Sequence, residues 1–271
     1  MGGLALPLAL ATCNQGYPSD FSGLVGWWDA SARNINAGSP SNSDAVYDWL
    51  DLSCNDYTAS QSTPSSRPTW IASAINGRPA VRFDGTDDSL AAADHTLTGA
   101  FTLFAVVRTD SLTGSATAVH PVYGQWDATG DERSVLLMLN YAVNGSVAIS
   151  RSHHGTDYQI KRTAANTLTS TVDPYVIAVA YDGEDSASDI YVNGVQVAID
   201  ATAEGGGWAV GSGGGNYDSS ADVLIGKSAA WSGAARYFDG DMAVVASYGR
   251  NLVPAEIEWV SRTLMSKYGV T

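Results

Sequence analysis

Apolar residues in this chain recur in short runs that alternate with polar ones, and near the C-terminus the spacing lengthens to about 3.6 residues. Runs with strand character cover residues 24–30 (LVGWWDA), 47–53 (YDWLDLS), 80–84 (AVRFD), 101–109 (FTLFAVVRT), 134–142 (SVLLMLNYA) and 145–151 (GSVAISR). Further runs cover 174–183, 189–199, 221–226 and 242–249, with Gly, Asp, Asn and Ser between them. Residues 101–109 are apolar on both alternating faces, which predicts a central strand covered on both sides. Asn193-Gly194 stands between alternating Ile190/Val192 and Val195/Val197, the signature of a two-residue hairpin. Asn144-Gly145 marks another turn.

A helix is predicted at the end of the chain. Pro254 suits a first turn, Glu256 and Glu258 complement the helix dipole, and Arg262 and Lys267 lie near its C-terminus. Ile257, Val260 and Leu264 form a helical stripe that Gly269 can close. Many strands and one terminal helix predict an all-β protein, a two-sheet antiparallel jelly-roll sandwich capped by a C-terminal α-helix.

Composition narrows this further. With 271 residues, 45% of them hydrophobic, the chain can bury a large core in one domain. Its 28 glycines, 13 tyrosines and 8 tryptophans suit strands and turns. The net charge of −14 leaves no basic stripe for phosphates, so neither nucleic acid nor an anionic membrane is expected as a partner. Two cysteines, Cys13 and Cys54, are too few for a disulfide framework or a zinc site, and two thiols are the expectation.

Residues 1–20 read as an apolar docking arm ahead of a domain covering 21–271. Leu4, Leu6, Leu8 and Leu10 are its docking residues. The apolar stretch is short, interrupted by Pro7 and lacks a preceding Lys or Arg, so it does not fit an export signal. Residues 204–220 are glycine-rich yet carry Trp208 and Tyr217, which makes them a candidate rim loop as much as a linker.

Taken together, "GLVGWWDAS", "VYDWLDLSCNDYTASQSTPSSRPTW", "INGRPAVRFDGTDDSL" and "YFDGDMAVVASYGRNL" resemble the laminin-G-like jelly roll of the concanavalin A-like lectin/glucanase superfamily. The resemblance spans roughly residues 24–270. It implies two antiparallel sheets with the first and last long strands adjacent, and binding of carbohydrate or protein, sometimes with Ca²⁺. The apolar leader ahead of the jelly roll resembles an arrangement in tailed-phage virion proteins. The implied setting is a virion surface, head or tail, reached by synthesis in the host cytoplasm without a signal peptide. There the arm would dock on other virion proteins and the jelly roll would face host-surface glycans. A bacterial surface lectin is the alternative, and a glycoside hydrolase a remote one.

The candidate chemistry is non-enzymatic. Glu132, Glu184, Glu204, Glu256 and Glu258 provide no pair on one strand face, which speaks against retaining glycoside hydrolysis. Asp84, Asp87 and Asp88 are read as corner formers, with Ca²⁺ as the metal they would hold if they hold one; no cofactor is required. Adjacent His153 and His154 make a poor chelate on a strand, and Asp157 is the one nearby further ligand. For sugar binding the candidates are Tyr123, Trp126, His153, His154, Tyr158, Trp208, Tyr217 and Trp231, at predicted strand ends or in loops. Trp27, Trp49, Phe83, Phe101 and Trp259 lie in periodic segments and are assigned to the core.

Overall fold

A computed structural model describes residues 21–271 except 96, 128–129, 184–187, 206–215 and 232. The arm residues Leu4, Leu6, Leu8 and Leu10, and Trp208, lie outside the described residues. Leu24–Asp29 (β1), Asp48–Trp49 (β2), Ala59–Ser60 (β3), Thr69–Ile75 (β4), Arg78–Asp84 (β5), Leu90–Ala92 (β6) and Phe101–Thr109 (β7) come first. His120–Asp127 (β8), Glu132–Leu139 (β9), Val147–Gly155 (β10) and Tyr158–Thr163 (β11) follow, then Tyr175–Tyr181 (β12), Ser188–Val192 (β13), Val195–Val197 (β14) and Ile199–Gly205 (β15). Val223–Ile225 (β16), Lys227–Trp231 (β17), Ala234–Tyr237 (β18) and Asp239–Tyr248 (β19) precede the helix α1, Pro254–Tyr268.

The strands form two sheets. The first has the order β14-β13-β12-β7-β19-β5-β4, with β1 also paired to β19, so the first and last long strands are neighbours. The second runs β15-β11-β10-β9-β8-β16-β6-β3-β2. A β17–β18 hairpin joins it through one parallel bridge, Ala230 to Asp127.

Strand β7 behaves as its two-sided apolar pattern requires. Leu103, Ala105 and Val107 face the second sheet, while Phe104 and Val106 face α1. The core between the sheets also holds Trp28, Trp49, Phe83, Phe101 and Tyr181. Behind the first sheet, Ile257, Val260 and Leu264 of the helical stripe pack on Trp27, Phe104 and Tyr248. Trp259 does not join them. It is 42% exposed and meets Phe21 edge-to-face, because two residues along a helix turn it well away from the stripe of Ile257.

Polar contacts fix the helix ends. The Val253 N–H donates to Glu256, whose carboxylate also pairs with Arg250 through two hydrogen bonds of 2.8 and 2.7 Å. At the other end Gly269 is left-handed (φ 62°), and Asn76 Nδ2 donates to the Tyr268 and Gly269 carbonyls at 2.9 Å. Asn193-Gly194 forms the β13–β14 turn with φ of 50° and 75°, as its sequence predicts.

The sandwich has two ends. At one, β7 and β1 start while β12 and β19 finish, with Phe101 opposite Tyr181 and Tyr248 opposite Thr102 and Leu24. Asn216 and Tyr217 tie the second sheet to this end: their N–H groups donate to the Thr98 and Ser152 carbonyls at 2.7 Å. At the opposite end Asp239 begins β19 beside Asp84 of β5, and His120 begins β8 within 3.2 Å of Thr109 Oγ1.

Candidate functional site

At the first end, four strands of the second sheet turn. Trp126 lies opposite Arg133 in the β8–β9 pair, Gly155 lies opposite Arg133 in the β9–β10 pair, and Tyr158 opens β11 opposite Gly205. This brings Trp126, His153, His154, Tyr158 and Tyr217 to one end. The backbone of Trp231 follows Ala230, which bridges to Asp127, so it arrives there too.

Asp157 organises the β10–β11 turn. Its Oδ1 accepts hydrogen bonds from Ser152 Oγ (2.8 Å) and from the N–H groups of His153 (2.8 Å) and His154 (3.0 Å). Burial pushes this carboxyl up, but those hydrogen bonds outweigh it and hold it below the usual carboxylate range. Its Oδ2 lies 3.3 Å from His154 Nδ1 and 3.8 Å from His153 Nδ1. The register shift in the pairing with β9 between Arg151 and Gly155 lets both rings approach Asp157 although one is buried and the other faces solvent. The His153 side chain is 7% exposed and that of His154 71%.

Glycine makes the turn possible. Gly155 has φ of 76°, and a methyl group there would stand 1.9 Å from the Asp131 carbonyl and 3.1 Å from the Tyr217 ring. Arg133 Nη1 donates to the Gly155 and Thr156 carbonyls at 3.1 and 2.7 Å, and Glu132 accepts the Ser220 N–H at 2.8 Å. Asp157, Arg133 and Glu132 are supporting residues that the sugar-binding assignment missed. The clue lay in the sequence Ser152-His-His-Gly-Thr-Asp157, an Asp placed to receive the N–H groups of its own turn.

Two of the expected sugar contacts need correction. Tyr123 is 2% exposed, between the sheets beside Trp28 (6.4 Å between rings), with its hydroxyl 3.3 Å from His95 Nε2. Burial raises its pKa above the usual phenol value. Tyr123 is a core residue because register shifts in the β8–β9 pair place it opposite Leu137, which faces inward. Trp126 lies at the right end but is 3% exposed, edge-to-face with Tyr158 at 6.2 Å, over Leu136, Met138 and Ile160. It forms the floor under Tyr158 and is closed to a ligand. The exposed elements left are His154 and the half-buried Tyr158 and Tyr217.

The aspartate cluster sits at the opposite end. Asp84 Oδ1 accepts the N–H groups of Thr86 (2.8 Å), Asp87 (3.2 Å) and Asp88 (3.4 Å), while Asp88 Oδ2 accepts that of Asp84 at 3.0 Å. These are the bonds of a corner, as the sequence predicts. The three carboxylates offer oxygens within 4.8 Å of one another, a spacing that fits a hard cation, although Asp84 Oδ1 and Asp88 Oδ2 are already engaged with backbone. Burial, followed by the charges of Asp84 and Asp87, pushes Asp88 up to about 6 despite its hydrogen bond to Asp84 N–H. Asp239 is raised by burial and by Asp110 and Asp84.

Two antiparallel sheets, adjacent first and last strands and a loop-built polar end define a lectin-like jelly roll. A laminin-G-type family description, "Concanavalin A-like lectin/glucanases superfamily", matches residues 84–258, and the chain belongs to that family. No curated protein matches its sequence. Among solved structures, the binding domain of Paraclostridial Mosquitocidal Protein 1 is similar, with a TM-score of 0.59, 11% identity and coverage of 90% of this chain and 52% of that one. Domain 4 of AbnA, a GH43 extracellular arabinanase from Geobacillus stearothermophilus in complex with arabinotriose, is similar over 88% of this chain and 98% of its own, with a TM-score of 0.54 and 12% identity. Botulinum neurotoxin type C, whose cell entry depends upon interaction with two ganglioside molecules, is similar over 89% of this chain and 51% of its own, with a TM-score of 0.55 and 9% identity. The chain thus spans about half the length of the two toxin chains.

Proposed function

We propose that this protein is a non-enzymatic carbohydrate-binding jelly roll whose ligand site is the end of the second sheet around Tyr158, His154 and Tyr217. The observation that carries this reading is that these residues stand at one end of the second sheet, on turns held by Asp157 and Arg133. Tyr rings offer flat faces for sugar C–H groups, and His154 adds a polar group for hydroxyls. The likeness to an arabinotriose-bound domain and to a ganglioside-dependent toxin supports the ligand class.

An open site of this kind binds a single glycan weakly, so display in many copies supplies avidity. A virion surface of a tailed phage, facing host glycans, is the setting that the sequence resemblance supports. A bacterial surface lectin would use the same site. Glycan-array binding followed by calorimetry tests the reading: wild type binds at least one glycan class, Tyr158→Ala loses at least about tenfold in affinity, and no reducing ends are released. An array without any bound glycan, or release of sugar, overturns it. Copurification with phage particles tests the setting separately.

A further inference from the structure

Asn-Gly pairs occupy turns at 76–77, 144–145 and 193–194. Two of them reach the same place. At the β4–β5 tip, Asn76 Nδ2 donates to the Tyr268 and Gly269 carbonyls at 2.9 Å. At the β13–β14 tip, Asn193 Nδ2 donates to the Thr271 carbonyl at 3.0 Å, while its Oδ1 accepts the Val176 N–H at 3.0 Å. Strands β4 and β14 are the opposite edges of the first sheet, so the end of α1 is latched from both sides. The Tyr268 carbonyl lies in the last turn of the helix and has no acceptor role left within it, so the asparagine supplies its donor.

The three glycines are placed very differently. Gly145 is buried, and its N–H donates to the Leu112 carbonyl and to Asn140 Oδ1, both at 3.0 Å. Gly194 is half-buried, and a methyl group there would stand 3.5 Å from Ser261 Cβ. Gly77 is exposed with φ of 78°, and no atom lies within 4 Å of where its Cβ would stand. Among the described residues no acceptor engages the Gly77 N–H, because the strand pairing closes with Ile75 opposite Arg78. Its nitrogen is therefore free, and glycine lets the 76–77 peptide rotate without a clash.

We propose that Asn76 is a site of spontaneous deamidation and that the reaction releases the end of α1 from the first sheet. The Gly77 nitrogen gives its proton to hydroxide and attacks Asn76 Cγ. The N–Cγ bond forms, the Cγ–Nδ2 bond breaks, and ammonia leaves with a proton taken from water. Water then opens the cyclic imide. Attack at Cγ gives aspartate, and attack at the Asn76 backbone carbon gives isoaspartate, with the chain rerouted through the side chain. Either product exchanges two N–H donors for carboxylate oxygens, set against two carbonyls at the negative end of the helix dipole. Lys267, in the last turn, is already paired with Asp29 at 2.5 Å and does not answer the new charge. The Gly269 and Val270 N–H groups, which both bond the Met265 carbonyl, open with the turn. This inference concerns the first sheet and stands whether or not the rim binds glycan.

The test ages the full chain in mildly alkaline buffer and follows each Asn-Gly pair by peptide mapping and mass spectrometry, with a urea-unfolded sample alongside. Position 76 should acquire the mass of NH2 exchanged for OH severalfold faster than position 144 in the folded chain, as aspartate and isoaspartate together, with 193 between them. In urea the three rates should converge. Equal rates at 76 and 144 in the folded chain, or an Asn76 that reacts only in urea, overturn the site. The release is read separately by amide hydrogen exchange on Asn76→Asp made directly. Exchange at Gly269 and Val270 should quicken severalfold while Val260 keeps its protection, and Asn144→Asp should leave all three unchanged. Unchanged exchange at Gly269 and Val270 in Asn76→Asp, or a loss of protection that extends to Val260, overturns the local latch.

Discussion

The two ends of the sandwich are built from the same kind of material, an aspartate receiving the N–H groups of its own turn, yet they differ in what surrounds their buried carboxyls. At the Tyr158 end, burial raises the Asp157 pKa, but hydrogen bonds from Ser152, His153 and His154 outweigh it and lower the pKa. At the Asp84 end, burial and then neighbouring carboxylates leave Asp88 raised to about 6 and Asp239 raised as well. The difference is one of company. Asp157 faces two histidines, and its charge is wanted where it stands. Asp88 faces Asp84 and Asp87, and its charge is tolerated. One end is therefore set up to hold a rigid, chemically varied surface, while the other closes a corner under mutual repulsion.

The largest expected effect comes from removing the organiser of the first end. Asp157→Ala leaves the His153 and His154 N–H groups and Ser152 Oγ without their acceptor, and should cost about 2–4 kcal/mol of stability in urea denaturation. Because the depressed pKa places this stabilisation above the unfolded value near 4, it should be lost as pH falls through the folded pKa, and the variant should differ least from wild type in acid.

Next in size is a contrast in binding. Tyr158→Ala should weaken glycan binding at least about tenfold, near 1.4 kcal/mol, while Asp87→Asn at the far end should leave the affinity unchanged. Equal losses from both would erase the distinction between the ends.

Smaller is a stability gain. A raised folded pKa means that the folded state holds Asp88's proton more tightly than the unfolded chain, so this group's contribution improves as pH falls from about 7 toward 4. Asp88→Asn should therefore stabilise the protein by about 1 kcal/mol at pH 8, solvent screening included, and by nothing at pH 4. Calcium sharpens the same point. With corner oxygens already accepting N–H groups, millimolar Ca²⁺ should leave the wild-type Tm within about 1 °C, and a larger rise abolished by Asp88→Asn would turn the corner into a cation site.

Much of the architecture was legible because its signals are local. The two-sided apolar pattern of 101–109, the Asn193-Gly194 turn and the Ile257/Val260/Leu264 stripe each carry their geometry in a few consecutive residues. The site was legible in place more than in detail. Its members come together because strand ends come together, but whether a ring faces solvent depends on which side of a sheet is covered. In 134–139 both sides are apolar, so nothing in the run reveals that Trp126 packs on a buried outer face or that Tyr123 turns inward. Trp259 was misassigned for a simpler reason, since membership of a periodic segment does not place a residue on its stripe. Arg133 escaped notice because its partners, the Gly155 and Thr156 carbonyls, are more than twenty positions away.

The position of β19 has a consequence for how the molecule is made. This strand, residues 239–248, is the shared neighbour of β1, β5 and β7, which are all translated long before it. Until it leaves the ribosome, three nascent strands have unpaired edges and the first sheet has no middle. Folding of this half must wait for residues 239–248, and a truncation before Asp239 should yield an aggregation-prone fragment instead of a smaller domain.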